Sequence, residues 1–562
     1  MNATITETLR QRAQIHPNRR ALTFLLDGEN ETETLTYAEL DNRVRSLAAI
    51  LQARGASRQR VLLLFPSGLE YVCAFFACLY AGAVAVPLYP PRPHREDARL
   101  NAVIHDCQPA LVLTTASLLP RLESLFPDVP CLALDAAKSD PARWQQPAHS
   151  SENLAFLQYT SGSTSTPKGV MVTHANVLSN HRMIATAFEQ TEDYTIVSWL
   201  PLFHDMGLIG NLLQGVLAGN HCVLMPPEAF LMKPIRWLRA IQNYSSQASG
   251  APNFAYDLCA RKITPEQRAD LDLSAWQLAF CGAEPVRAPT LNRFAELFAT
   301  NGFQNSAFYP CYGLAEATLF ASGGAKSSPP TITHFTSDSL ENHCPQPANS
   351  LNESARPLVS CGQSWQGAEI LIIDPESRVP CEPGSIGEIW IRGPHITDGY
   401  WNRPAETSST FAAHTANGEG PYLRTGDLGF FHNGELFPTG RLKDLIIIGG
   451  RNHSPTDIEA TVATSHPAIR AGACAAFGLE IENIEVLAVV AELERSHLNT
   501  LDSKSIIQSI RQSVAEKHDL RAHTIQLIRP ATLPKTSSGK VQRHTCRHQL
   551  IAGTLSTIEP LT

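Results

Sequence analysis

The stretch that decides the fold begins with VLLLF at 61–65 and continues as YVCAFFACLYAGAVAVPLY at 71–89. Its second part carries no charged residue over nineteen positions, long enough to be read as a membrane span. Gly82 and Pro87 break it, however, and a compact apolar strand precedes it. A buried helix followed by a buried strand accounts for both breaks, so 61–88 reads as a βαβ unit with a parallel strand pair. Parallel strands of this kind are covered by helices, which places the chain in the α/β class.

The surroundings repeat the pattern. Upstream, Thr36 and Glu39 form a capping box, Leu40, Val44, Leu47 and Leu51 recur at helical spacing, and Gly55 sits just past the end. Downstream, LAFLQY at 154–159 and LAFCG at 278–282 are buried-strand candidates that each end at a loop of small residues, and Thr173 is a candidate helix cap. After residue 440 the order changes to strand 445–448, helix near 457–464, strands ACAAF and EVLAVVAEL, helix 503–517 and strand TIQLI. That is a small α+β domain of about 120 residues behind a large α/β body.

Composition removes several classes of function. The 562 residues hold 45 Lys+Arg against 53 Asp+Glu, net −8, without a long basic run, so a nucleic-acid partner is not expected. Thirteen cysteines without a CxxC pair fit neither a secreted disulfide framework nor a zinc site, and read as free thiols in a reducing cytosol. The N-terminus mixes acids and bases before any apolar block and is not a signal peptide, so a cytoplasmic protein with no transmembrane segment is expected. Between Lys326 and Leu358, five Pro, six Ser and three Asn leave little apolar material, and the segment reads as a long loop or insertion. Its SDSL at 337–340 resembles a carrier-protein attachment serine, yet no helical bundle surrounds it.

The chemistry concentrates in short strings. YTSGSTSTPKGV at 159–170 stands between a strand and a helix, where backbone amides and hydroxyls of Thr160, Ser161, Gly162, Ser163 and Thr164 can cradle polyphosphate and Lys168 can add charge. Taken alone such a stretch is more often a linker, and the GxxxxGK spacing of a P-loop is absent. As a whole the string resembles the phosphate-binding signature of the adenylate-forming superfamily, which includes acyl-CoA synthetases, peptide-synthetase adenylation domains and firefly luciferase. Further matches follow in order: SWLPLFHDMGLIG at 198–210, FCGAEPV at 280–286, CYGLAEAT at 311–318, GEIWIRG at 387–393, YLRTGDLG at 422–429, GRLKD at 440–444 and PKTSSGK at 534–540.

The resemblance implies an adenylation body over 1–440, a hinge at 441–444 that includes Lys443, and a small mobile domain over 445–562. It implies ATP and Mg²⁺, with Glu316 and a hydroxyl of Thr160 or Thr164 holding the cation on the phosphates, since a hard cation takes oxygen ligands. Gly282, Ala283, Glu284, Tyr312 and Gly313 look like the adenine side. Asp427 is placed to accept both ribose hydroxyls, where the plain reading is a turn aspartate. Arg441 supports the ribose or a phosphate, against a domain-boundary salt bridge. Lys540 is the catalytic candidate, a cation for the charge that builds as a carboxylate attacks the α-phosphorus, although a lysine near a C-terminus is ordinarily solvated surface. His204 is a second catalytic candidate, for gating or substrate contact, against a satisfied core histidine.

Within the superfamily, PLYPPRP at 87–93, SCGQ at 360–363 and KDLIIIGGRNHSPTDIE at 443–459 resemble fatty acyl-AMP ligases. The 46 residues from Glu316 to Gly362 exceed the spacing expected of a CoA-forming relative, and in the resembled family an insertion near here restrains the small domain and disfavours transfer to CoA. Gly449 and Ser454 depart from the family pattern, where Arg and an aromatic are expected. The expected activity is formation of acyl-AMP and pyrophosphate from a fatty acid and ATP, with the acyl group then passed to the phosphopantetheine thiol of a separate carrier protein or synthase carrier domain. A fatty acyl-CoA synthetase is the neighbouring alternative, and a non-catalytic acyl-nucleotide sensor the alternative from another class.

Overall fold

Arg60–Leu64 and Val84–Leu88 pair in parallel, residue for residue from Arg60↔Val84 to Leu64↔Leu88, with helix Leu69–Ala81 between them. Every residue of that helix except Glu70 is buried, and it closes on Gly82 at φ +71°. The uncharged run from Tyr71 onward therefore answers to a protein interior. Among the described residues no helix is long and apolar enough to cross a membrane. The computed structural model describes the chain apart from residues 1–2, 92–96, 161–166, 350–354, 449–450, 482–483, 501, 537–538 and 559–562.

Two large sheets form the body. The first has six strands, in the order Cys131–Ala133, Leu111–Thr114, Arg60–Leu64, Val84–Leu88, Leu154–Tyr159 and Gly169–Thr173, all parallel except the last. The second has nine, with Phe308–Gly313, Leu278–Cys281, Ala248–Ala251, Thr195–Ser198, His221–Leu224 and Arg20–Phe24 parallel at its centre. Helices Tyr37–Ala53, Leu69–Ala81 and His174–Ala187 lie in the layer that joins them. One core cluster holds Leu40, Phe75 and Val177 from these helices together with Val61 of the first sheet and Leu22 of the second. The expected caps are present: the Thr36 hydroxyl accepts from Glu39 N–H, and Thr173 accepts from Asn176 N–H.

A four-stranded antiparallel sheet follows, Glu369–Ile373, Gly387–Arg392, Leu423–His432 and Glu435–Arg441. The smaller C-terminal domain has its own three-stranded sheet, Ile469–Ile481, Ile484–Leu493 and Ala522–Ile528, packed on helices Pro455–Ser465 and Ser503–His518 around Ile458, Val489 and Ile510.

The 326–358 segment differs from a plain polar loop. Ile332–Thr336 pairs antiparallel with Ala355–Val359, and Ser337–Glu341 forms a short helix. Two apolar side chains suffice to seat it, because Phe335 and Leu340 join Ile386, Leu428, Phe430 and Phe437 in one buried cluster. Ser339, the serine of SDSL, is buried and bonded to Thr336.

Candidate active site

The phosphate-loop string leaves the six-stranded sheet at Tyr159 and rejoins it at Gly169, which pair across the two strands. Thr160 N–H donates to the Lys168 carbonyl at 3.1 Å, closing the neck of the loop. Arg99 donates to the carbonyls of both Tyr159 and Thr160, at 3.3 and 3.2 Å. No sequence motif flagged Arg99, a guanidinium whose Nε is buried without a hydrogen-bond partner among the described residues. Ser161, Gly162, Ser163 and Thr164 lie outside the described residues.

Tyr400 links two of the expected residues. Its hydroxyl donates to Glu316 Oε1 at 2.8 Å, and the Lys168 ammonium lies 4.8 Å from its ring centroid. Lys168 also pairs with Glu406. The Glu316 main-chain oxygen accepts from both the amide and hydroxyl of Thr397, so the short 3₁₀ turn Ala315–Ala317 is held on both sides. Gly313 precedes that turn because only glycine fits, since a Cβ there would stand 1.7 Å from the Leu319 carbonyl.

The adenine-side segments meet at neighbouring strand ends. Gly282, Ala283 and Glu284 follow strand Leu278–Cys281, and Ala283 is held at φ +64°, an uncommon conformation for a residue with a Cβ. Glu284 accepts from Phe254 N–H at 2.6 Å, and burial pushes its carboxyl up. On the next strand, Tyr312 donates to Asp427 Oδ2 at 2.8 Å. Asp427 Oδ1 lies 3.2 Å from Arg441 Nε, and the two residues face each other across strands Leu423–His432 and Glu435–Arg441. The Asp427 charge raises the Arg441 guanidinium above its ordinary value.

The C-terminal domain supplies the last piece. Lys540 ends a loop closed by its own amide, which donates to Thr536 Oγ1 at 3.0 Å, and a Cβ at Gly539 would sit 3.9 Å from the Phe254 ring of the body. Burial lowers the Lys540 amine from its ordinary value, with Arg441 adding to the effect and Asp205, Glu284 and Asp427 opposing it. The charges of three body carboxylates thus act on the lysine. His204 Nδ1 is 2.8 Å from Asp205 Oδ1, which also accepts from Met206 N–H at 2.7 Å. Burial alone would raise the Asp205 carboxyl, but the His204 hydrogen bond and the Lys540 charge bring it below the usual range. Leu208–Leu213, immediately after, is a π-helical turn, a form frequent at functional sites.

Lys443 lies in the 3₁₀ turn Leu442–Asp444, where burial and the Arg441 charge lower its amine. Arg543 ties that turn to the small domain, donating to Asp444 at 3.0 Å and to Glu459 at 2.7 and 2.8 Å. The body reaches across elsewhere: Arg287 donates to the Thr456 carbonyl at 3.1 Å, Arg356 pairs with Asp457, and Arg451 pairs with Glu341 at 2.8 Å. Ser454 precedes helix Pro455–Ser465 with its hydroxyl 2.9 Å from Thr456 Oγ1 and makes no side-chain cap bond, while Gly449 lies outside the described residues.

The Tyr312–Asp427–Arg441 contacts and the charges acting on Lys540 link these strings, and the chain as a whole resembles known proteins. A family described as AMP-binding enzyme matches residues 9–401, and the AMP domain of Disco-interacting protein 2-like proteins matches 443–560. The medium-chain-fatty-acid acyl-carrier-protein ligase JamA of Moorena producens is 44% identical, over 99% of this chain and 96% of that protein. A fatty acyl-adenylate ligase of Legionella pneumophila, solved with acyl adenylate and pyrophosphate, is 41% identical with a TM-score of 0.78, covering 99% of this chain and 97% of its own. A structure from a study of the fatty acyl-adenylate ligases of E. coli and L. pneumophila is 33% identical with a TM-score of 0.89, covering 98% of each chain. The chain belongs to the AMP-binding enzymes, in the fatty acyl-AMP ligase branch of the adenylate-forming superfamily.

Proposed function

We propose that this protein activates a fatty acid with ATP and passes the acyl group to the phosphopantetheine thiol of a separate carrier protein. In the first step a carboxylate oxygen forms a bond to the α-phosphorus and the bond to pyrophosphate breaks. In the second the carrier thiol, losing its proton, attacks the acyl carbonyl and AMP leaves. The observation that carries this reading is the seating of the Lys540 loop against the body, where Gly539 lies beside Phe254, whose N–H donates to Glu284. A cation brought there by the small domain faces the α-phosphate, where charge builds in the transition state.

The other roles follow from the contacts. Asp427, steadied by Tyr312 and Arg441, receives the ribose hydroxyls. Lys168 and the loop from Thr160 receive the phosphates. Gly282, Ala283, Glu284 and Gly313 frame the adenine. His204, its ring fixed by Asp205, faces the fatty-acid carboxylate. Glu316 and Thr160 offer carboxylate and hydroxyl oxygens, a donor set that suits Mg²⁺ arriving on substrate phosphates. When bound, that ion neutralises phosphate charge. We take 1–440 as the body, 441–444 as the hinge and 445–562 as the moving domain, closure of which excludes water. The thirteen cysteines are all free thiols, which suits a reducing cytosol.

JamA is named for transfer to an acyl carrier protein, which supports the same acceptor here. The test is product analysis with a fatty-acid series and ATP·Mg²⁺, offered either CoA or a holo carrier protein. Acyl-AMP alone without acceptor, and acyl-carrier with it, is the expected result. Abundant acyl-CoA would overturn the acceptor, and absence of any acyl-AMP would overturn the activity.

A further inference from the structure

Thr425, Gly426 and Asp427 do not follow the ladder with strand Gly387–Arg392. Opposite them, Glu388 pairs with Leu428 and Trp390 with Arg424, so the strand carrying Asp427 places three residues where its partner places one, Ile389. The excess is a bulge that turns Asp427 out toward Tyr312, the usual way a sheet re-aims a side chain. Such a bulge leaves main-chain groups without ladder partners. Thr425 Oγ1 donates to the Ile389 carbonyl at 2.7 Å, and the Gly426 N–H, at φ +69°, donates to Glu388 Oε1 at 3.1 Å.

Glu388 is 2% exposed. Its second oxygen accepts from Arg424 Nε at 3.0 Å, Arg424 Nη2 at 2.7 Å and Trp390 Nε1 at 2.9 Å. One buried carboxylate thus faces four donors, three from the flanks and one from the crest of the bulge. The electrostatic consequence is a fixed crest, since charge-assisted hydrogen bonds are short and directional.

We infer that Glu388 is a positioning residue for the nucleotide ribose, acting through the Gly426 amide to hold Asp427 where it can take both hydroxyls. This rests on the reading of Asp427 as the ribose acceptor. The informative variant is Glu388→Gln. A glutamine has one acceptor oxygen; turned toward Arg424 and Trp390 it satisfies three donors and presents its own NH₂ to the Gly426 N–H, breaking the contact that matters.

The measurement is the ratio of kcat/KM for ATP to that for 2′-deoxy-ATP and 3′-deoxy-ATP, with the KM for fatty acid alongside. Glu388→Gln is expected to cut the preference for ATP about tenfold, the order of one lost hydrogen bond, with the fatty-acid KM unchanged. Arg424→Met, which removes the ion pair but keeps the Gly426 contact, is expected to melt earlier and retain the preference. Should Glu388→Gln not fold, Glu388→Gln with Arg424→Met removes both charges and carries the same expectation. A wild-type preference in the Gln variant, or an equal loss in Arg424→Met, overturns the positioning role. Asp427→Ala separates the two readings: if it abolishes the preference while Glu388→Gln leaves it intact, only the role of Glu388 fails.

Discussion

Replacing Asp427 with Ala tests the nucleotide site at its best-defined point. A carboxylate offers about four lone-pair positions, and here Tyr312 occupies one on Oδ2 and Arg441 one on Oδ1. One position is left on each oxygen, matching the two ribose hydroxyls. Hydrogen bonds to a charged acceptor contribute roughly 1.5 to 3 kcal/mol each, so losing both costs about 3 to 6 kcal/mol. ATP affinity should fall by at least about a hundredfold, taking tenfold for each 1.4 kcal/mol. The fold itself should tolerate the change, because Arg441 is 46% exposed and its released charge reaches water. Asp427→Asn keeps the shape and should fall between. Calorimetry of ATP binding to the three proteins, with melting temperatures beside it, reads both effects. Unchanged ATP affinity in Asp427→Ala would reduce the residue to a turn aspartate and refute the geometry argued from it.

Lys540→Ala should slow acyl-AMP formation by about 10² to 10³ while ATP affinity holds, as expected for a contact made to developing charge. Because burial lowers the Lys540 amine, the active charged form is lost as pH rises through a value below 10.5, and Lys540→Arg should move that alkaline limb upward in a pH profile of acyl-AMP formation. Removing Arg356 and Arg451 together should raise transfer to CoA with acyl-AMP formation intact, and acyl-CoA that stays absent by chromatography would sink the restraint assigned to 326–358. Gly313→Ala drives a Cβ against the Leu319 carbonyl and should lower stability by about 3 kcal/mol or more, read as a drop in melting temperature.

The βαβ unit at 61–88 was legible because its signal is local: a helix uncharged from Tyr71 onward, bounded by Gly82 and a strand on each side. The helices of the small domain were legible for the same reason, the expected 503–517 standing as Ser503–His518. The 326–358 segment was not, since Phe335 and Leu340 look too few for a core until Phe430 and Phe437 arrive from another sheet. Of the site, the residues inside recurrent strings could be named in advance. Those that hold them could not. Tyr400 and Arg99 act from segments without a phosphate-like pattern, and Glu388 sits in GEIWIRG at a position whose in-or-out sense is settled only by the bulge opposite it.

The small-domain helix Pro455–Ser465 is where these observations meet. Its first turn receives Arg287 through the Thr456 carbonyl and Arg356 through Asp457, while Arg451, just before it, reaches Glu341 of the insertion. Rotating the domain away from the arrangement that places Lys540 must break all three contacts. Arg356 and Asp457 are 22% and 33% exposed, so each such contact is worth on the order of 1 kcal/mol and not the full interior value. Three together give about 3 kcal/mol, a bias of roughly 150-fold between two arrangements. That is large enough to favour the adenylating state strongly and small enough to be crossed on every turnover, as a second step with a carrier thiol requires. Two of the three contacts, Arg356–Asp457 and Glu341–Arg451, belong to the insertion, so on the proposed rotation it would act as a weight of about 2 kcal/mol on that equilibrium. An acceptor that binds the alternative arrangement with enough affinity, as a whole carrier protein can, overcomes it; a free CoA must do so with far less surface.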